Sequence, residues 1–88
     1  MYVRYDSTVD ALYVSLRPRK PGDVARTDHP NEQRHIDYGA DNAPLGVEFL
    51  DASEGIDLRN IPDAEAIAAA LQKIPRADGL KLRSASGG

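Results

Sequence analysis

The stretch YDSTVDALYVSL, residues 5–16, decides the fold because it contains both a turn and a strand. In its second half, Leu12 and Val14 alternate with small or polar residues, and this period of two is typical of a strand with one buried face. Val3 and Tyr5 alternate in the same way just before the turn. Matching the apolar faces of the two strands sets Tyr5 opposite Leu12 and Val3 opposite Val14. The sequence therefore predicts an antiparallel hairpin.

The connection of this hairpin, DSTVDA, is predicted to be a turn rather than a catalytic site. Asp6 has a short side chain that can accept hydrogen bonds from amides two and three residues further on, as in an Asx turn. Asp10 can close the same bend. Because turn chemistry is sufficient reason for both aspartates, we assign them a structural role, with Tyr5 facing the core and Tyr13 facing away from it.

A second hairpin is predicted from RHIDY and LGVEFLD, which are joined by the turn GADNAP. The same matching rule sets Ile36 opposite Val47 and Tyr38 opposite Leu45. On the other face, the rule sets Asp37 against Gly46 and His35 against Glu48. Between the two hairpins, RPRKPGD reads as a solvated loop. VARTD is expected to pair with the second strand before HPNEQ interrupts it.

The period changes in NIPDAEAIAAALQKI, residues 60–74, which predicts an amphipathic helix. Asn60 is the expected cap, and Pro75 ends the helix. The fold class is then α+β: an antiparallel meander of about four strands with one C-terminal helix packed on one face. We expect one domain over residues 1–75 and a mobile tail over residues 76–88. The apolar positions of the helix are Ala64, Ile67, Leu71 and Ile74.

The two faces of the predicted sheet differ in character. One is apolar and is expected to form the core under the helix: Val3, Tyr5, Leu12, Val14, Leu16, Ile36, Tyr38, Leu45, Val47 and Phe49. The other mixes aromatic residues with both signs of charge, which is closer to the composition of an interface than to a bare solvated surface. We take as partner-binding candidates Tyr2, Arg4, Tyr13, Arg17, His35, Asp37, Glu48 and Leu50.

Two motifs, YDSTVDALYVSL and GVEFLDAS, resemble those of a small bacterial family catalogued as domain of unknown function 2283. The resemblance covers roughly residues 1–53, and Ser7 stands where relatives often have proline. It implies little about activity, because the family has no established activity, although some relatives are suspected antidote halves of small toxin and antitoxin pairs. The matching positions are Tyr5, Asp6, Asp10, Leu12 and Tyr13, then Gly46, Glu48, Asp51, Ala52 and Ser53.

Composition narrows the classes of function. The chain has 88 residues, a formal net charge of −3 and no cysteine. Nucleic acid is a poor partner for such a chain, because its binding rests on Lys and Arg displacing counterions from phosphates, whereas a basic protein is the better electrostatic match. There is no thiolate metal site or thiol nucleophile. With no signal-peptide pattern and no apolar stretch of about 20 residues, we expect a cytoplasmic protein without membrane contact.

Three functions remain open. The leading hypothesis is a non-enzymatic protein-interaction module, with a small basic toxin as its antitoxin-like partner. The second is a metal-dependent or acid/base enzyme that uses His35, Asp37 and Glu48, which share one face. A metal site of this kind would have few protein ligands, because the other histidine, His29, is expected in a proline-containing loop. The third is a homo-oligomer, such as a homodimer, with a structural or small-ligand role. We assign no catalytic residue and no cofactor.

Overall fold

The computed structural model describes residues 1–73 and 82–83, and in this part of the chain five antiparallel strands form one sheet. The strands are, in chain order, β1 Tyr2–Asp6, β2 Ala11–Ser15, β3 Val24–Asn31, β4 Arg34–Gly39 and β5 Pro44–Leu50. They lie in the order β1-β2-β5-β4-β3, so β1 and β3 are the edges. The antiparallel sheet is confirmed, whereas the count of about four strands is wrong because the segment before β4 forms a full strand.

Three kinds of element follow the sheet within the described residues: a 3₁₀-helix, an α-helix and a parallel pair of two-residue strands. They are the 3₁₀-helix Ala52–Glu54, β6 Ile56–Asp57, α1 Ala64–Gln72 and β7 Leu82–Arg83, which pairs with β6. No helix in the described part of the chain is long and apolar enough to cross a membrane. The tail predicted over residues 76–88 lies outside the described residues except for β7, and the domain end at residue 75 also lies outside them.

The first hairpin has the predicted register. Tyr5 pairs with Leu12 and Val3 with Val14. Asp6 forms the predicted turn contact: its Oδ1 accepts hydrogen bonds from the backbone N of Thr8 at 2.9 Å and from Thr8 Oγ1 at 2.5 Å. The register and the Asp6 turn of this hairpin therefore follow from its local sequence.

The pairing predicted for VARTD is wrong. β3 pairs with β4, and the free side of β2 is taken by β5, which sets Val14 against Val47. β3 also continues through His29 and Pro30, which were expected to interrupt it, with irregular register between Asp28 and Asn31. Proline is tolerated there because an edge strand has one side with no ladder hydrogen bonds to make.

The second hairpin follows its prediction until the turn. Ile36 pairs with Val47 as expected, but Tyr38 pairs with Pro44 instead of Leu45 because the register shifts after Asp37. The turn is shorter than GADNAP, since the backbone N of Gly39 donates to the carbonyl of Ala43 at 3.0 Å. Asn42 takes the left-handed conformation, with φ 64°, that a turn of this kind requires.

The buried core lies under one face of the sheet, as predicted, but its cover is broader than one helix. Ile67 and Leu71 of α1 belong to the core cluster. The segment between β5 and α1, with no periodicity to mark it, supplies further buried side chains: Ala52, Ile56, Leu58 and Ile61. About one third of the core cluster therefore comes from an irregular segment, and an irregular segment gives no pattern from which burial can be read.

The helix begins later than predicted. Its N-cap is Asp63, with φ 57° and no side-chain cap hydrogen bond, rather than Asn60. Asn60 instead takes a left-handed conformation, with φ 58°, in a turn where the backbone N of Ile61 donates to the carbonyl of Leu58 at 3.3 Å. This turn buries Ile61, and the left-handed conformations of Asn60 and Asp63 keep both residues out of a right-handed helix, so the helix starts at Ala64. The predicted positions Ile74 and Pro75 lie outside the described residues.

Candidate functional site on the polar face of the sheet

The strand register brings most of the candidate residues together on one surface, which we call the polar face. One row across the sheet pairs Arg4 with Tyr13, Tyr13 with Glu48, and Glu48 with His35. The next row contains Tyr2, Ser15, Gly46, Asp37 and Thr27. Because paired residues of neighbouring strands point to the same side, the residues of both rows form the polar face.

Asp37 organises the centre of the polar face. Its Oδ2 accepts hydrogen bonds from Tyr13 Oη at 2.9 Å and Arg19 Nη1 at 3.2 Å, and its Oδ1 accepts one from Thr27 Oγ1 at 2.7 Å. The Arg19 guanidinium also lies over the Tyr13 ring, 4.9 Å from the ring centroid. We call these four residues the Asp37 cluster. Each of the other three members contacts the same carboxylate, so the cluster fixes three side chains that start on different segments.

The electrostatics of the Asp37 cluster hold each group in one protonation state. Burial raises the pKa of the Asp37 carboxyl, but the hydrogen bonds from Thr27, Tyr13 and Arg19 together outweigh burial and leave this pKa below its ordinary value. Burial, followed by the hydrogen bond to Asp37 and its negative charge, raises the pKa of Tyr13 to about 12. At neutral pH the cluster therefore pairs an ionised carboxylate with a neutral phenol that donates to it.

Gly46 lets Tyr13 lie across the sheet to reach Asp37. A Cβ at position 46 would overlap Tyr13 Oη and would lie 2.5 Å from Tyr13 Cζ and 3.0 Å from Cε2. The sequence placed Gly46 opposite Asp37 but gave no reason for a glycine in the middle of a central strand. The reason is the close approach of an aromatic ring from the neighbouring strand.

A second group on the polar face contains both histidines of the chain. His35 Nδ1 lies 3.2 Å from Glu48 Oε1, and the ring of His29 lies edge-on to that of His35, with centroids 4.3 Å apart. The expectation that His29 sits in a loop is wrong, because β3 extends through it. The alternation that places Thr27 on the polar face also places His29 there. The sequence therefore contained this pattern, but Pro30 suggested that the strand ended before His29.

The three residues suggested for metal or acid/base chemistry do not meet as one group. Among the described residues, Asp37 accepts hydrogen bonds from Tyr13, Arg19 and Thr27, while Glu48 contacts His35. Within the described residues no three His, Cys, Asp or Glu side chains are grouped so that they could hold a metal ion.

The remaining candidates lie at the margins of the polar face. Tyr2 is 64% exposed on the edge strand β1, and Arg4 is exposed beside it. Arg17 forms an exposed ion pair of 3.8 Å with Asp41 in the β4–β5 turn. Leu50 is half-buried at the end of β5 and pairs with Ala11.

Asp10 does more than close the first turn. Its Oδ1 accepts hydrogen bonds from Tyr5 Oη at 2.7 Å and from the backbone N of Ser53 at 2.8 Å, and its Oδ2 accepts one from Ser53 Oγ at 2.6 Å. The bond from Ser53, followed by that from Tyr5, holds the pKa of the Asp10 carboxyl below its usual value. The structural role assigned to Asp10 is therefore to connect the first hairpin to the 3₁₀-helix, a contact between residues 43 positions apart.

A buried ion pair also escaped the sequence analysis. Arg34 and Asp57 are 8% and 9% exposed, with Arg34 Nη1 3.8 Å from Asp57 Oδ1. Arg34 Nη1 also donates to the carbonyl of Arg59, whose own Nε and Nη2 donate to Asp57 at 3.0 and 2.8 Å. Arg59, opposed by burial, lowers the pKa of Asp57 well below its usual range. The pair joins β4 to the segment before α1 and has a structural role.

Comparison with known proteins identifies a family for this chain. A family model described as "Protein of unknown function (DUF2283)" matches residues 2–53, which confirms the resemblance seen in the sequence. No curated protein and no solved structure matches the chain. The matched segment includes the contacts of Asp10 with Tyr5 and Ser53, as well as the Asp37 cluster and Gly46.

Proposed function

Because the chain belongs to the DUF2283 family, whose description assigns no activity, we propose a function from the geometry of its own residues: a non-enzymatic protein-interaction module that binds its partner through the polar face. The observation that carries this proposal is the Asp37 cluster. It holds Tyr13 and Arg19 in fixed positions on the side of the sheet opposite the core.

Fixed side chains favour binding because their conformational entropy is lost on folding and not again on association. An immobilised, rotamer-rich side chain costs about 0.5–1.5 kcal/mol when it is ordered only at the interface. Tyrosine and arginine are also the residue types that most often dominate binding energy. Tyr13 and Arg19 combine both properties, and Arg4 pairs with Tyr13 in a row that continues through Glu48 to His35.

The charge of the chain supports a basic partner. The formal net charge of −3 attracts basic proteins at long range. The polar face itself carries both signs, with Arg4 and Arg19 beside Asp37 and Glu48, so short-range contacts there select for charge pattern and not only for net charge. The finer proposal is that the partner is a small basic toxin for which this chain is the antitoxin.

Capture from a lysate of the native host tests the proposal. The immobilised chain is expected to retain one protein in stoichiometric amount, and Arg4→Glu and Arg19→Gln to lose most of it. Gln72→Glu is the control and changes the charge by as much as Arg19→Gln does, because Gln72 is exposed near the C-terminal end of α1 and does not line the groove between β1 and α1. Each variant is first shown to be folded by thermal unfolding.

Two outcomes would contradict the proposal. One is the absence of any stoichiometric partner when the chain is folded. The other is equal retention of the partner by the wild-type chain and by both polar-face variants, which would show that the partner binds a different surface. Retention of basic proteins in proportion to their charge alone would support long-range attraction without a specific partner, and it would also count against the proposal.

A second candidate function is a homodimer, favoured by a shallow groove between the edge strand β1 and α1. Its lining is largely apolar and comprises Met1, Tyr2, Val3, Ala66, Ala69, Ala70 and Lys73. An edge strand has unpaired backbone groups that can accept a second strand. Sedimentation equilibrium separates this function from the first: a dimer that Ala69→Glu dissociates supports it, whereas a monomer throughout removes it.

A further inference from the structure

We propose that His29 and His35 together bind one borderline transition-metal ion, such as Zn²⁺, at the edge of the polar face, with Glu48 orienting His35. This inference concerns the pair of histidines that the fold brings together. It does not depend on the protein-interaction function or on the identity of any partner.

The two rings are close enough to share an ion. They lie on adjacent strands, β3 and β4, with centroids 4.3 Å apart and an interplanar angle of 68°. Two imidazole nitrogens on one tetrahedral zinc, each at about 2.0–2.1 Å from it, are about 3.3 Å apart. The proposed site requires one nitrogen of each ring to take up that spacing, which the exposed side chain of His29 can approach by rotation. His29 is exposed, so an ion can reach the pair from solvent.

Glu48 supplies the second observation. Its Oε1 lies 3.2 Å from His35 Nδ1, across the β4–β5 pair. When the neutral ring donates Nδ1–H to this carboxylate, Nε2 keeps a free lone pair for the metal. A carboxylate behind a ligating histidine is the usual outer contact of such sites, since it fixes the tautomer and raises the basicity of the ligand. A contact that only stabilises the sheet would not need His29 beside the same ring.

The proposed site has two protein ligands, and water completes the coordination of the ion. This agrees with the finding that no three metal-ligating side chains are grouped within the described residues. It also differs from the set of His35, Asp37 and Glu48 considered from the sequence, because Asp37 is held by Tyr13, Arg19 and Thr27. Imidazole ligands favour Zn²⁺, Ni²⁺ and Cu²⁺ over Mg²⁺ and Ca²⁺.

Isothermal titration with ZnCl₂ tests the site, using the full chain without a polyhistidine tag and at slightly alkaline pH. We expect saturable binding of one ion per chain. His29→Ala and His35→Ala should each abolish saturable binding, and Glu48→Gln should weaken it about 10-fold through the lost orienting contact. Asp63→Asn, which removes an exposed carboxylate at the start of α1, is the control, and it should leave the affinity unchanged. MgCl₂ should give no saturable signal.

Nitrogen-correlated NMR of the histidine rings gives a second readout that a purely structural role would not produce. Zn²⁺ should shift His35 Nε2 while Nδ1 keeps its proton, and it should shift the ring of His29 at the same ion concentration. If His35→Ala does not fold, His35→Gln replaces it in the titration.

Three results would overturn the inference. The first is no saturable Zn²⁺ binding to the folded wild-type chain. The second is wild-type affinity in His29→Ala, which would show that the ion binds without His29. The third is a loss in the Asp63→Asn control as large as that in His35→Ala, which would show that the binding does not depend on the pair of histidines.

Discussion

The two faces of the sheet are built from alternate residues of the same strands, yet they are stabilised in different ways. Val14 and Val47 are fully buried and paired on the core face. Their neighbours Tyr13 and Gly46 lie on the polar face, where Tyr13 crosses Gly46 to reach Asp37. Apolar burial contributes energy in proportion to area and has no direction, whereas hydrogen bonds contribute little net energy but fix direction. The core face therefore sets stability and the polar face sets geometry.

The largest expected effect is on the core face. Leu12 is 0% exposed, so Leu12→Ala should lower the free energy of unfolding by about 3 kcal/mol through lost burial and the cavity left behind. Val9→Ala is the control from the same hairpin, because Val9 is 65% exposed, and it should change stability by less than about 0.5 kcal/mol. Urea unfolding measures both. Equal effects of the two substitutions would contradict the division between the faces.

The ion pair at the end of the core face should give the next largest effect. Asp57→Asn should lower the free energy of unfolding at neutral pH by about 2 kcal/mol, because hydrogen bonds to a charged group are lost and an amide donor faces Arg59. Asp63→Asn is the control, since Asp63 is exposed and its left-handed conformation suits asparagine.

The same pair predicts a pH dependence. The pKa of Asp57 is lower in the folded chain than its ordinary value of 3.8. Its contribution to stability is therefore fully present above pH 3.8 and is lost as the pH falls through the folded value. Stability measured by urea unfolding across this acid range should fall less steeply in Asp57→Asn than in the wild-type chain. Parallel curves for the two proteins would show that the pair does not exist in solution.

On the polar face, Gly46→Ala should have an intermediate effect. The new Cβ would overlap Tyr13 and force the ring away from Asp37, at a cost of about 2 kcal/mol of unfolding free energy. In a Tyr13→Ala background the same change should cost much less, because the overlapping ring is absent. A double-mutant cycle measures the coupling, and a coupling of zero would contradict the close approach.

The smallest expected effect is that of Tyr13→Phe. It removes one hydrogen bond to Asp37 and keeps the ring, so we expect a loss of about 1 kcal/mol of unfolding free energy. The pKa of Asp37 should rise because one of its three donors is gone. Carbon NMR of the Asp37 carboxyl measures that rise, and an unchanged pKa would show that Tyr13 does not donate to it.

The difference between the faces also explains how far the sequence predicts the structure. The register of the first hairpin and the face of each strand residue follow from period two and local turn chemistry. The pairing of β3 with β4 does not, because it depends on which strand edges remain free in the assembled sheet. The burial of Ile56 and Ile61 also has no local signal, since the segment that carries them is irregular.

For the candidate site, the sequence predicts on which face of the sheet each strand residue lies, but not which side chains contact one another. Tyr13, Asp37 and His35 lie on the polar face as predicted. Their contacts with Arg19 and His29 come from a loop and an edge strand that only the folded chain brings near. A charged side chain in a loop has no periodicity to show which carboxylate it will meet, so the Asp37 cluster could not be assembled from spacing alone.

The most direct test of the account is a carbon-NMR titration of the Asp37 carboxyl in the wild-type chain. Three donors fix this carboxylate, and with it the geometry of the polar face. We therefore expect a pKa of the Asp37 carboxyl below 3.8, with Thr27→Val raising it toward that value. A pKa at or above 3.8 in the folded wild-type chain would mean that burial outweighs the donors, and it would contradict a preorganised polar face.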